Sequence, residues 1–362
     1  MELQRPDARA DRVPARGDRR GRDADQQRRQ RARRVRTAAG LTACAASIVV
    51  PRRRRSGDGG EPERGHGAVI DWFDANLVSI LNGLAIGSLL FILAVGLSIV
   101  FGMMDVLNLA HGAFFLIGSY LAVTFVAGES WAGFFTAIGV AALVGLVAGG
   151  ALSGLTEPLA RRPILDQALL TLGISLIVAE TLSIIYGNDV LSIGEPPGLD
   201  GSIAVAGNPY PTYRLMLIAV GLALALIVWL VVEKTSIGAL VRASVADREM
   251  VSAIGIDNRK VKIAVLGVGS LLATVAGVLA APVYGARPGL DKTILLLALV
   301  VIVIGGLGSI RGALVGALVI GQVESLGRAL VPDLASFILF GTLALVLIVR
   351  PRGLFAGKVA HS

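Results

Sequence analysis

Residues 75–104 read ANLVSILNGLAIGSLLFILAVGLSIVFGMM, thirty residues without a charged side chain. A helix needs about 20 apolar residues to cross the hydrocarbon of a bilayer, so this stretch by itself points to a membrane protein. Five more charge-free runs follow, at 106–128, 130–156, 215–232, 263–286 and 293–310. Shorter apolar stretches lie at 167–186, interrupted by Glu180, at 312–327, interrupted by Glu324, and at 334–349. The whole chain agrees: a mean hydropathy of +0.72 over 362 residues, with 17% charged, is membrane composition rather than globular composition. The sequence predicts an all-α polytopic integral membrane protein with about eight to nine transmembrane helices. The spans are 77–101, 106–126, 134–156, 167–186, 214–232, 263–281, 292–305, 312–327 and 335–349. The 45 glycines suit helices that pack closely in lipid.

The basic charge is confined to one end. Residues 1–66 hold 18 arginines, no lysine and nine acidic residues, and the rest of the chain is nearly neutral. Such a tail reads as a disordered, solvated arm ahead of a transmembrane domain at 67–362. Binding of nucleic acid or anionic lipid is a second reading. A third is GC-rich DNA translated upstream of the true start. The apolar piece 37–50 is short for a span, and Arg52–Arg55 follow it where a signal peptide would carry small cleavage-site residues. Cys44, the single cysteine, excludes a disulfide within the chain.

With the C-terminus inside, the inner segments 102–105, 157–166, 233–262, 306–311 and 350–362 carry twelve Lys and Arg. The outer side then carries four: Arg214, Arg287, Lys292 and Arg328. The positive-inside rule favours this orientation. Nine spans then place the Arg-rich tail outside, a conflict that either a crossing at 37–50 or a later start removes. The longest outer loop, 187–213, is rich in Pro, Gly, Asp and Asn, with a short strand expected near 202–206. It reads as a connector, or as a docking surface or external gate.

The longest inner segment is 233–262, EKTSIGALVRASVADREMVSAIGIDNRKVK. Ala239, Leu240, Ala243, Ala246, Met250, Ala253 and Ile254 recur with helical spacing. The expectation is one short amphipathic helix on the inner membrane surface, shown to a soluble partner.

In 107–122, LNLAHGAFFLIGSYLA, Asn108 and His111 enter an apolar run. Polar groups at membrane depth face protein or a water-lined cavity. Gly112 permits a bend or a close crossing, so a broken helix beside a path stands against a plain helix start and packing site. In 304–327, IGGLGSIRGALVGALVIGQVESLG, four glycines make a turn around Arg311 and further glycines line a closely packing helix. No metal site or catalytic residue is expected: the chain has three histidines, no phosphate-binding G-x-x-x-x-G-K-[ST] and no hydrolase motif.

These residues resemble a known family. Residues 82–122, the G-x-x-x-R-A of 238–243 followed by AIGID at 253–257, the 305–326 stretch and the closing RPRGLF at 350–355 are similar to the membrane permeases of branched-chain amino acid ABC importers. The resemblance covers about 77–357, and N-L-A-H-G fits the shorter of two permease types. It implies a multi-pass subunit of the cytoplasmic membrane whose partners are a second, longer permease subunit, two cytosolic ATPases and an extracytoplasmic solute-binding protein. ATP would be bound by those partners, with no cofactor in this chain and no nucleic acid. It implies a path with Asn82, Asn108, His111 and Gly112 as candidates. It also implies an ATPase-coupling loop with Gly238, Arg242, Ala243, Asp247, Ala253 and Gly255. Solutes of related permeases include leucine, isoleucine and valine, other amino acids, amides and urea. Arg311 stands where the family often has proline. Two other classes stay open: an ion-gradient-driven secondary transporter, for which Glu180, Glu324 and Asp105 are the candidate coupling groups, and a membrane scaffold.

Overall fold

The computed structural model describes residues 67–104, 108–126, 130–159, 162–205, 207–246, 248–351 and 353–355, within the compact unit Gly65–Ser362. The expectations for the 1–66 tail, for Asp105 and for Asp247 fall outside these residues.

The chain folds into apolar helices joined by short turns. They are α1 (Gly67–Met104), α2 (His111–Phe125), α3 (Trp131–Thr156), α4 (Ile164–Tyr186), α5 (Thr212–Lys234), α6 (Ser236–Ala246), α7 (Arg248–Ala253), α8 (Asn258–Tyr284), α9 (Leu290–Gly305), α10 (Ile310–Leu330) and α11 (Ala335–Val349). Seven stretches are long and apolar enough to span a bilayer, in α1, α3, α4, α5, α8, α10 and the 18-residue Pro332–Val349. The 15-residue α2 and 16-residue α9 are shorter. At 1.5 Å per residue they reach only about 22–24 Å. Among the described residues, seven of the nine expected spans thus coincide with span-length stretches, and those expected at 106–126 and 292–305 fall on the shorter α2 and α9. Local signals set the starts: Ser130, Asp257 and Ser309 cap α3, α8 and α10 by accepting from the backbone N–H of Gly133, Arg259 and Gly312.

Two helices form the hub. In α1 and α8, 78% and 72% of the apolar window is buried, against 11% in α4 and in Pro332–Val349. Around the hub, α10, α9 and α5 pack on α1, while α2 and α3 pack on α8. Glycines make the close approaches. A Cβ on Gly118 of α2 would strike the Thr274 carbonyl oxygen of α8, and one on Gly277 would strike that of Phe115. On the other side of α8, Cβ atoms on Gly145 and Gly149 of α3 would lie 2.7 Å from Leu271 Cα and 2.8 Å from Gly267 Cα. With backbones this near, polar groups tie across: Ser119 Oγ donates to Gly277 O at 3.2 Å and Thr274 Oγ1 to Ala141 O at 2.7 Å. The 304–327 glycines pack as the sequence suggests, Gly316 against Val301 and Gly321 against Gly83.

The helix ends gather at two faces. At one, Arg259 pairs with Glu157 at 2.8 Å and Arg311 with Glu233 at 3.2 Å. At this face Leu354 and Phe355 of the closing RPRGLF donate backbone N–H groups to Ile304 and Gly305, capping the end of α9. At the other, Tyr213 donates its hydroxyl to Leu279 O at 2.8 Å, Tyr120 stacks on Tyr186, and Leu191 pairs with Ala286. These are the faces that the positive-inside reading assigns to the cytosol and the exterior. The outer loop is not a plain connector. It contains a two-stranded hairpin, β1 (Ser202–Val205) with β2 (Asn208–Pro211), close to the expected strand. Trp131 Nε1 donates to Pro197 O at 3.0 Å, tying the loop to α3.

Candidate functional site

The inner surface carries α6 and α7. The helix expected here is described as α6 and α7, on either side of position 247, which lies outside the described residues. Thr235 starts α6 by accepting the Gly238 N–H at 3.2 Å. Gly238 does not end a helix. It sits buried in the first turn of α6, where a Cβ would meet the carbonyl oxygens of Val231 and Val232, so the return from α5 needs glycine. Gly255 does end α7: at φ +86° it lets its own N–H reach Ser252 O at 3.0 Å and the Ile256 N–H reach Val251 O at 3.2 Å. Ser244 and Val251 face inward and are buried. Ala239, Arg242, Ala243, Met250, Ala253 and Ile254 are exposed. Of the residues on the side that looks apolar in sequence, Leu240 packs partly against the core, whereas Met250 and Ile254 point away from the protein, 61% and 64% accessible. Apolar residues clustered on an exposed, otherwise basic segment mark an interaction surface.

The path candidates are distributed differently. Asn82 lies on α1 near the outer face, where its Oδ1 accepts from Arg214 of α5. Asn108 is buried ahead of α2 and turns its Oδ1 onto the Ala110 N–H at 3.1 Å. It lines a small pocket with Val100, Thr156, Gln167, Thr171 and Leu266. The next N–H, of Leu109, donates to Thr171 Oγ1 at 3.2 Å, so α4 helps hold the start of α2. His111 is fully buried, with Nε2 3.0 Å from Leu93 O of α1. A carbonyl only accepts, so Nε2 carries the proton and Nδ1 is a bare acceptor; Nδ1 has no partner among the described residues. Gly112 is a close crossing: a Cβ there would lie 2.6 Å from Asp291 O of α9. Asn108, His111 and Gly112 thus join α1, α2, α4 and α9, while Asn82 sits apart. His111→Ala removes a buried ring and its bond to α1. It is expected to destabilise the detergent-solubilised protein by roughly 2–4 kcal/mol, read as a lowered midpoint of thermal unfolding.

Sequence reasoning passed over Asp291. It lies in the first turn of α9, 2% exposed, two residues after Gly289 at φ +85°. Left-handed glycine followed by an acid in the first turn is a legible helix start, but a charge beside Lys292 looks like an outer loop. The two carboxylates inside spans separate clearly. Glu324 is buried and paired with Arg328, whereas Glu180 is exposed on α4.

Residues 79–347 match the family model described as branched-chain amino acid transport system / permease component. The chain belongs to this family. It is 29% identical over 294 residues to the high-affinity branched-chain amino acid transport system permease protein LivH of Escherichia coli (strain K12), covering 77% of this chain and 94% of that protein. The corresponding protein BraD of Pseudomonas aeruginosa is 29% identical over 306 residues, covering 77% of this chain and 95% of BraD. Among solved structures, PsaBC from Streptococcus pneumoniae in complex with Fab aligns with a TM-score of 0.42 and 15% identity over 81% of this chain and 98% of that one. This family member is a multi-pass plasma-membrane permease, built on the span-length helices above.

Proposed function

We propose that the chain is the permease subunit of an ABC importer for branched-chain amino acids or a related amino acid, amide or urea, driven by separate ATPases. The observation that carries this reading is the exposed α6–α7 element on the basic face of a permease. Uphill transport needs an energy source, and the sequence holds no phosphate-binding loop. An apolar, arginine-bearing helix pair held out from that face suits the cleft of a soluble partner. ATP would be bound by two such partners, and their closure would push α6–α7 and turn the path from inward- to outward-facing. A solute-binding protein would deliver to the outer loop and hairpin, and a second, longer permease chain would complete the path. The relatives' printed names support the branched-chain solute, and the apolar interior is compatible with it. Of the candidate coupling groups for the ion-gradient alternative, Glu324 is paired with Arg328.

The test is a cysteine at Ala243 in a chain with Cys44 replaced, expressed with candidate ATPase subunits. Disulfide or short bifunctional crosslinking between Ala243→Cys and the proposed ATPase partner is the expected result. Crosslinking from an outer-loop cysteine at Ser202 but not from position 243 would contradict the proposed docking side.

A further inference from the structure

Glu180 stands where a lipid-facing helix should not hold a charge. It lies six residues before the end of α4, about 9 Å along the axis. For a helix of this length centred on a hydrocarbon layer of about 30 Å, the carboxylate sits several ångströms inside the layer. It is exposed, with no hydrogen-bond or ion-pair partner among the described residues. Among described side chains it is the one exposed ionisable group more than a turn from both ends of a span-length helix. The exposed faces of α3, α5 and α11 hold apolar residues such as Leu143, Val147, Leu226, Phe337 and Ile348, as contact with lipid requires. The α4 face is mixed: Leu169, Leu176, Ile177 and Ile184 flank Glu180 and Thr181, and Gly173, two turns from Glu180, opens onto empty space. Within the protein α4 packs mainly on α2, so this face awaits a neighbour. Charged groups within a span face protein or water because hydrocarbon penalises them.

We infer that the Glu180 face of α4 lines a water-filled translocation path, closed on its far side by the second permease chain, and that the Glu180 carboxylate takes the ammonium group of the passing solute. The argument deepens the proposed function and rests on it. Aliphatic side chains around one carboxylate are the chemistry that a zwitterionic amino acid with an apolar side chain would meet. Loss of a charge-assisted hydrogen bond is expected to slow passage rather than delivery, because the binding protein sets the solute concentration for half-maximal uptake.

The experiment uses the assembled importer in proteoliposomes, with Cys44 replaced. Glu180→Cys, and Ile177→Cys as a second reporter that keeps the carboxylate, are treated with a cationic, water-soluble methanethiosulfonate or with a lipid-dissolved maleimide. The isosteric Glu180→Gln is assayed for ATP-driven uptake of L-leucine. The expected result is labelling by the aqueous reagent at both cysteines and a maximal rate lowered about ten-fold or more in Glu180→Gln, with half-saturation unchanged. Labelling by the maleimide alone would place the face in lipid and overturn the inference. Labelling by neither reagent would bury it in a dry interface and overturn it too. Aqueous labelling with normal uptake in Glu180→Gln would remove the carboxylate's role. If the unaltered importer fails to move leucine on ATP, the proposed solute or energy source fails instead, and the labelling pattern still decides where the face points.

Discussion

Gly118→Leu is expected to abolish the folded protein. At this position α2 and α8 touch backbone to backbone, and even a methyl group would strike the Thr274 carbonyl oxygen and lie 2.7 Å from the carbon bonded to it. Backbone cannot rotate aside as a side chain can, so the helices must separate. Separation breaks the Ser119–Gly277 bond and loosens the Thr274–Ala141 bond that continues the contact into α3. The cost is expected to exceed the roughly 3 kcal/mol typical of core overpacking. The measurement is recovery of monodisperse protein from detergent. Gly139→Leu is the control, since a Cβ there meets nothing within 4 Å and faces the surface. Recovery of both variants at the unaltered level would show that the glycine crossings are not what holds the hub.

The second large effect belongs to the coupling element. Arg242→Glu combined with Ala243→Asp puts two negative charges where an exposed arginine and alanine now stand. Neither side chain is buried in the chain's own fold, so stability and membrane insertion are expected to be unchanged. Association with the ATPase is expected to weaken by about 2–4 kcal/mol if these residues form a binding hot spot. Solute-stimulated ATP hydrolysis should fall with it. Normal co-purification and normal stimulation in this variant would leave α6–α7 an ordinary connector.

The membrane fold is readable from charge-free runs alone, because a run such as 75–104 has no other stable use. What escaped a sequence reading lies where tertiary contacts decide. Within the span expected at 106–126, the described residues 108–110 precede the helix, which starts at His111, and Asn108 spends its side chain on the Ala110 N–H. The inner helical segment is legible from its apolar spacing, and helix is found on both sides of position 247. The same periodicity does not tell Leu240, which packs partly against the core, from Met250 and Ile254, which stay exposed. Asn82 reads as a polar residue in a span, and its partner Arg214, more than a hundred positions away, is invisible without the packing of α5 on α1. Glu180 and Glu324 look alike as single acids in apolar helices. One meets an arginine a turn later on its own helix, and the other meets nothing among the described residues.

The most direct test of the account is the energy source for uptake. Proteoliposomes are prepared with this chain alone, and with this chain together with the proposed second permease and ATPases. They are supplied with L-leucine and binding protein. The account predicts leucine accumulation only in the complete assembly, only with ATP, and not under an imposed proton or sodium gradient. Accumulation driven by such a gradient through this chain alone would contradict it.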